Sequence, residues 1–376
     1  MTAIAEITAP EGTPGLVGVH LPLEVVSQSM AKTFKRCPLQ FKYKYLDELS
    51  PRVVSKPLTR GKWFHSLLEE YYAPADDPNA DRVGWEAVHK AMSHKFSLLF
   101  DEEKEELGDL PREMSSLMES YLWHYRNDES WTVHEVEKTI EVPLPFLNGV
   151  SLKLRLDMLV EDEYGLWIVD HKTHKTIPKT TDRLLDIQSP LYVWAAHQAG
   201  IPVSGFVWNY VRTKAPSVPK MAYEGTARQR LSKAACETDY VTFVKAIKGY
   251  QKTHGLKVTP DIKAWADRLK AQRYNYHMPV QTSDFFLRMR LERDPEMIQR
   301  ALRELHHTTK RILEYDFSDE WVERNQDRGC NFMCGYRDLC LTELMGGNAD
   351  LVRRKNYIKQ DPWHYYEEGK PDAPVE

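Results

Sequence analysis

The stretch Val150–Lys175, VSLKLRLDMLVEDEYGLWIVDHKTHK, decides how this chain is read. Apolar and β-branched residues fill Leu152–Val160 and Leu166–Val169, while Glu161–Glu163 and Gly165 interrupt them, which predicts two strands and a turn. Side chains two apart on a strand share a face, so Asp170 and Lys172 should converge on one spot. Most such pairs are ordinary salt bridges. Here the first strand adds a second carboxylate, Asp157, and two hard oxygen donors on neighbouring strands suit one divalent cation.

Around the hairpin the composition is that of a globular protein. The 376 residues, 42% hydrophobic and 28% charged, suffice for one large domain or two small ones with a full core. No stretch reaches the apolar length that spans a bilayer. The first residues, MTAIAEITAPEGTPG, lack the charged start and apolar block of a secretory signal. A soluble, cytoplasmic protein with a short disordered leader over 1–26 is expected. A net charge of −4 does not advertise a polyanion partner, so local clusters matter more. Lys42, Lys44, Arg60 and Lys62 crowd one region with Phe41, Tyr43 and Tyr45 interleaved. That mixture suits a single nucleic-acid strand by phosphate attraction and stacking, and equally an amphipathic helix with its aromatics in the core.

In chain order, Ser27 or Ser29 can cap a helix running to about Leu46, interrupted near Cys37-Pro38. A second helix begins near Leu58 with Gly61, His65, Leu68 and Tyr72 at helical spacing. Acidic 101–113 reads as a solvated helix face, and a helix follows to about Arg126. From Trp131, TVHEVEKTIEVP returns to β-branched alternation and predicts the strand before the hairpin. Beyond the hairpin, Asp186–Tyr192 opens an apolar helix with Pro190 in its first turn and Gln188 and Tyr192 on one face. Gly205–Val211 reads as a further strand leading into basic Arg212 and Lys214. Residues 213–280 suggest a helical insertion, and Phe285–Tyr315 a long charged amphipathic helix.

Three of the five cysteines, Cys330, Cys334 and Cys340, lie in GCNFMCGYRDLC. Without a secretory signal, metal binding is favoured over disulfides. Three thiols call for a fourth ligand, for which Cys37 is the natural candidate; Cys236 reads as a bystander.

Taken together, Asp157, the IVDHKT run at 168–173, Gly61-x-x-x-His65 and Gln188-x-x-x-Tyr192 resemble the PD-(D/E)XK nuclease superfamily, and within it the RecB-type exonuclease branch. The resemblance covers about Ser27 to Cys340. It departs before Asp157, where Leu154-Arg155-Leu156 stands in place of the usual Gly-Arg-hydrophobic run. It implies an α/β fold with a restriction-endonuclease-like core, a mixed central sheet flanked by helices, with helical insertions. It also implies an Mg²⁺- or Mn²⁺-dependent deoxyribonuclease. His65, Asp157, Asp170 and the backbone carbonyl of His171 would hold the metal. Lys172 would act on water or on phosphate charge, Gln188 and Tyr192 would orient groups, and Glu137 (or Glu135, one register away) would supply the strand carboxylate.

The one-plus-three cysteine layout is similar to that of AddB nuclease domains and CRISPR-associated adaptation nucleases, which implies a [4Fe–4S] cluster stapling the C-terminal region. The spacing here is C-x3-C-x5-C rather than C-x2-C-x5-C, which keeps structural zinc as an alternative. The expected layout is one nuclease domain over 27–345, with a helical part at 27–130, the core sheet and Gln-x-x-x-Tyr helix at 131–212, a mostly helical insertion at 213–315 and the cysteines at 316–345. A tail follows at 346–376. No Gly-x-x-x-x-Gly-Lys-[Ser/Thr] phosphate loop is present. The resemblance therefore implies a stand-alone exonuclease on DNA ends, preferring single strands, in phage or mobile-element recombination or repair. A recombinase, a helicase or a single-strand-binding protein would be its partner. A structure-specific or adaptation-type endonuclease and a non-catalytic DNA-end binder are the alternatives.

Overall fold

The computed structural model describes residues 23–363, apart from 53–54, 74–83, 127–129, 146, 179–181, 183, 224–225, 227–229, 233, 235, 273–282, 319–321 and 333. A mixed sheet holds β1 (Val25–Val26), β4 (Ser151–Asp162), β5 (Gly165–His174), β6 (Gly205–Arg212) and β9 (Phe286–Leu291) in that order, with β3 (Thr132–Pro143) also paired to β4. Two small ladders join β2 (Leu49–Pro51) to β10 (Tyr357–Lys359) and β7 (Met221–Ala222) to β8 (Arg230–Leu231).

The helices before the sheet's main strands are α1 (Gln28–Arg36), α2 (Pro38–Phe41), α3 (Lys56–Tyr72), α4 (Gly84–Ser97), α5 (Asp101–Leu107) and α6 (Leu110–Tyr125). A π-helical turn over Lys42–Leu46 continues α2. After β5 come α7 (Gln188–Gln198), α8 (Tyr240–His254), α9 (Pro260–Ala271), α10 (Pro295–Glu314), α11 (Gly329–Phe332), α12 (Arg337–Leu344) and α13 (Ala349–Asn356). None of the described helices is long and apolar enough to cross a membrane.

The burial pattern explains the strands. In β4, Leu152, Leu154 and Leu156 are buried while Lys153 and Arg155 on the other face are half-buried, the alternation of a one-sided strand. From Leu156 to Val160 every residue is buried, as are Trp167–His171 of β5 and Gly205–Val211 of β6. The parallel β5–β6 pair is therefore covered on both faces. The main core, with Phe34, Leu154, Ile168 and Leu305, lies on one side; a second, with Phe64, Met118 and Tyr121, lies beneath α3 and α6.

Strand pairing leaves one notch. β3 runs along one edge of β4 from Ser151 to Glu161. The other edge is shared: β1 pairs with Ser151 and Leu152, and β5 pairs with Met158–Asp162. Residues 153–157 between them have no described strand partner on that edge, and Asp157 closes the gap.

Several expectations change. The leader was drawn to residue 26, yet Val25–Val26 form β1, because two apolar residues beside Ser27 can complete the parallel edge of β4; residues 1–22 lie outside the described residues. The predicted helix over Phe285–Tyr315 starts only at Pro295, capped by Asp294, whose Oδ1 accepts from the Met297 amide at 2.8 Å. Before it, the alternating FLRMRL forms β9 and pairs antiparallel with β6. The insertion at 213–315 therefore supplies a sheet strand. Its α8 and α9 share a small separate core around Phe243, Ile247 and Ile262. The segment from 346, expected as a tail, forms α13 and β10, and β10 finds its hydrogen-bonding edge in β2.

Candidate active site

The notch in β4 places the chemistry. Asp157 and Asp170 project from adjacent strands and are 8% and 3% exposed. The His171 amide donates to Asp157 Oδ2 at 2.7 Å, just where β4 and β5 part. Gln188, in the first turn of α7, donates from Nε2 to Asp170 Oδ1 at 2.5 Å. Lys172 Nζ lies 2.7 Å from Asp170 Oδ2, as the two-residue spacing requires. From α3, His65 brings Nδ1 to 3.5 Å from Asp157 Oδ2. These side chains and Tyr192 line one cavity of about 300 Å³.

Glu137 completes the cluster. Ligand atoms of His65, Glu137 and Asp157 all lie within 4.8 Å of one another. Glu137 sits across from Asp157, between the pairs Val136↔Met158 and Lys138↔Leu156, with φ of 52°. The alternative, Glu135, is instead ion-paired to Lys138 at 2.6 Å. Glu137 pairs with Arg155, the outward residue of β4. Glu69, one turn after His65 on α3, also faces the cluster: burial raises its pKa first, then Arg155 lowers it, and Glu70 and Asp157 raise it.

The electrostatics are those of crowded carboxylates. Burial pushes Asp170 up to about 7, against the pull of Lys172 and with Asp157 adding repulsion. Burial likewise opposes ionisation of Asp157, but His65, Lys172 and the His171 backbone amide outweigh it and hold Asp157 low. Glu137 rises to about 8, first through burial and then through Asp157, with Arg155 opposing. Lys172 keeps its proton: burial disfavours the ammonium, but Asp170 and Asp157 more than offset it.

A divalent cation fits this donor set. Glu137 Oε2 and Asp170 Oδ2 are buried, and neither makes a hydrogen bond of good geometry, although Arg155 and Lys172 stand beside them. Buried carboxylates without full compensation are costly. Hard oxygens with one imidazole suit Mg²⁺ or Mn²⁺.

His171 itself points to the opposite face. Asn209 Nδ2 donates to its Nδ1 at 2.7 Å and to the Tyr121 hydroxyl at 2.9 Å, and the Tyr72 ring stacks on the imidazole. Burial lowers its pKa to about 3, which keeps it neutral. Its amide, rather than its side chain, serves the site.

The proposed DNA-binding cations divide. Lys44 lines the cavity, its Nζ 4.9 Å from the Tyr45 ring, and Lys62 is exposed on α3. Lys42 pairs with Asp47 at 3.1 Å and Arg60 with Glu113 at 2.5 Å, while Arg212 and Lys214 both engage Glu237 at 3.1 and 2.6 Å. Residues missed in the sequence are Arg155, Glu69 and Trp363. Arg155 was signalled by its two-residue spacing from Asp157, and Glu69 by its four-residue spacing from His65. Nothing near Trp363 pointed to the cavity.

The cysteines are not gathered as expected. Among the described residues no three sulfurs lie within 4.8 Å of one another, so a closed tetrahedral zinc cage is not formed. Cys334 feels the charges of Cys330 and Cys37, and Cys340 those of Cys37 and Cys334, so the thiols are neighbours at longer range. What ties the chain ends together here is polar. Tyr43 hydrogen-bonds Glu343, and Arg353 bridges Glu343 at 2.6 Å and Asp47 at 3.1 Å. The Tyr336 hydroxyl donates to the Leu49 carbonyl at 2.6 Å.

Residues 25–341 match the family model of the PD-(D/E)XK nuclease superfamily, and the chain belongs to that superfamily. It is therefore a nuclease by family, with DNA as the implied substrate and divalent metal as the usual cofactor. A search of curated proteins gives no match. Among solved structures, a candidate exonuclease from Eubacterium rectale is similar at 13% identity and a TM-score of 0.32, covering 67% of this chain and 83% of its own. The protein SSO0001 is similar at 12% identity and a TM-score of 0.18, covering 52% of this chain and 87% of its own.

Proposed function

We propose that this protein is an Mg²⁺- or Mn²⁺-dependent exodeoxyribonuclease that degrades DNA from free, single-stranded ends, in recombination or repair of phage or mobile-element DNA. The observation that carries it is the convergence of Asp157, Asp170, Lys172, Gln188 and His65 on one cavity at the notch of the sheet. His65, Glu137, Asp157 and Asp170, with the His171 carbonyl, would hold the cation, which when bound polarises the scissile phosphate and acidifies a water. The Gln188 amide fixes Asp170 and leaves its second oxygen facing Lys172. The Lys172 ammonium offsets charge that grows on the phosphate. The His171 amide holds Asp157 in place, and Tyr192, one turn after Gln188, shapes the cavity wall.

The test is incubation of end-labelled linear and covalently closed circular single-stranded DNA with Mg²⁺ or Mn²⁺. Loss of the linear DNA alone is expected. Cutting of circles moves the reading to an endonuclease, and binding without cleavage to an end-binding protein. Retained binding of a recombinase, helicase or single-strand-binding partner is a separate matter for co-purification.

The second part of the proposal is a [4Fe–4S] cluster on Cys37, Cys330, Cys334 and Cys340. Its support is that Cys37, Cys334 and Cys340 pack against the same core, with Cys334 within electrostatic reach of Cys330 and Cys37, and Cys340 of Cys37 and Cys334. A cluster spreads its four thiolates over different irons, so they need not approach as closely as around one zinc. Iron and acid-labile sulfide in anaerobically purified protein, lost in Cys334→Ser, are expected; zinc or no metal overturns it.

A further inference from the structure

The C-terminal strand β10 lies beyond the region matched to the superfamily, which ends at residue 341. It pairs with β2 in register Tyr357↔Pro51 to Lys359↔Leu49, and the Gln360 amide adds a bond to the Glu48 carbonyl at 2.9 Å. The Tyr357 ring stacks on Tyr336 with centroids 5.5 Å apart, and its hydroxyl donates to the Gly335 carbonyl. The strap is thus fixed at several points. It turns at Asp361, whose Oδ1 accepts from the Trp363 amide at 2.8 Å, and delivers Trp363 into the wall of the cavity that holds Asp157, Asp170 and Lys172.

We propose that Trp363 is a specificity-determining residue that stacks a base near the end of single-stranded DNA. The proposal rests on the nuclease reading and names the substrate class of the same site. Three observations carry it. First, Trp363 is half-buried beside β4, with Lys153 Nζ 5.9 Å from its ring. Lys153, Arg155 and Asp157 occupy one face of β4, so a ridge of roughly 13 Å leads from Lys153 beside the indole to Asp157, with Lys153 ion-paired to Glu141 and Arg155 to Glu137. A phosphate backbone laid on that ridge carries its bases past the indole. Second, the same cavity is also lined by Tyr45 with Lys44 over its ring, a second aromatic and cationic surface. Third, about 300 Å³ is the low end of the range for small-ligand sites. That volume takes a nucleotide. Stacking on an aromatic face tolerates any base, which suits an enzyme that must process every sequence.

The test uses the full chain. KM and kcat are measured for W363A, W363L and W363F on a single-stranded oligonucleotide, and on the same oligonucleotide with an abasic residue at each position near the labelled end. Wild type should lose affinity at one abasic position. W363A and W363L should raise KM roughly 5- to 100-fold on the intact strand, keep kcat, and show no further loss at that abasic position. W363F should recover most of the loss. W363L keeps the apolar packing, so a W363A variant that melts early does not decide the matter.

An unchanged KM in W363L, or an abasic penalty equal in wild type and W363L, overturns the proposal. Anisotropy binding of the same oligonucleotides is read in parallel. If wild type cleaves nothing, the nuclease reading fails, and the binding difference between W363L and W363F still decides the stacking.

Discussion

The two faces of β5 stand in sharp contrast. On the front, Asp170 and Lys172 meet Asp157, Glu137 and Glu69 in a cluster of crowded carboxylates beside Lys172, Arg155 and His65. On the back, His171 sits in a buried polar network. Asn209 joins it to Tyr121, and Arg288 donates to Tyr72 at 2.8 Å while lying 3.8 and 3.7 Å from the ring centroids of Tyr125 and Trp131. The front has carboxylates crowded around a cavity; the back hydrogen-bonds its imidazole and hydroxyls within the protein, although the Asn209 carbonyl oxygen finds no partner among the described residues. One strand therefore serves chemistry on one side and rigidity on the other, and the His171 amide links the two.

The largest effects should come from the front. Asp170→Ala and Lys172→Ala are each expected to reduce cleavage by about 10²–10³-fold or more, and Lys172→Ala should also lower the melting temperature, because it leaves the buried Asp170 without its cation. Gel-based cleavage rates beside thermal melts check this, and undiminished cleavage by both variants would sink the assignment.

Asn209→Leu addresses the back. It strands the His171 ring nitrogen, while the Tyr121 hydroxyl keeps Tyr72, and should cost about 1–3 kcal/mol of stability in denaturant melts, with a smaller loss of rate. If its effect fell on rate alone, the division between the faces would be wrong.

Arg353→Met, far from both faces, removes the bridge between Glu343 and Asp47. Because that arginine is partly solvated, about 1 kcal/mol and a fall in Tm of about 2 °C are expected.

The smallest effect is a pH dependence. Burial alone would raise Glu113, but Lys56 and Arg60 hold it below its ordinary value. A depressed carboxylate stabilises the fold above its unfolded pKa, and that contribution is lost as pH falls through the folded value. Glu113→Gln should therefore lower Tm slightly at pH 6, by a few tenths of a kcal/mol, with the gap closing below about pH 4. A gap that persisted in acid would mean the ion pair contributes nothing.

Legibility followed range. The hairpin, the β3 strand and the α7 start were readable because period-two alternation, a turn and a first-turn proline are local signals. Asp157, Asp170, Lys172 and Gln188 came with them. Glu137 could be separated from Glu135 only once the register against β4 was known. β9 was missed because FLRMRL runs into a strong helical pattern, and its strand character depends on β6 for a partner. The ladder of β10 with β2 joins opposite ends of the chain, and no local rule reports it; Trp363 was hidden for that reason. The cysteine spacing suggests a tighter ligand set than the fold assembles, because Cys37 approaches from the α1–α2 junction, Cys330 from α11, Cys334 from the segment after it and Cys340 from α12. Of the six lysines and arginines expected to bind DNA, four turn out to have carboxylate partners within the protein.

The backbone at Glu137 has a further consequence. A side-chain-bearing residue at φ of 52° costs about 1–2 kcal/mol that glycine would not. Replacing Glu137 with glycine should thus make the protein harder to melt and poorer at gripping a cation. Selection for heat resistance and selection for catalysis would pull this codon in opposite directions. A stabilised variant evolved without an activity screen would be expected to lose the carboxylate here first.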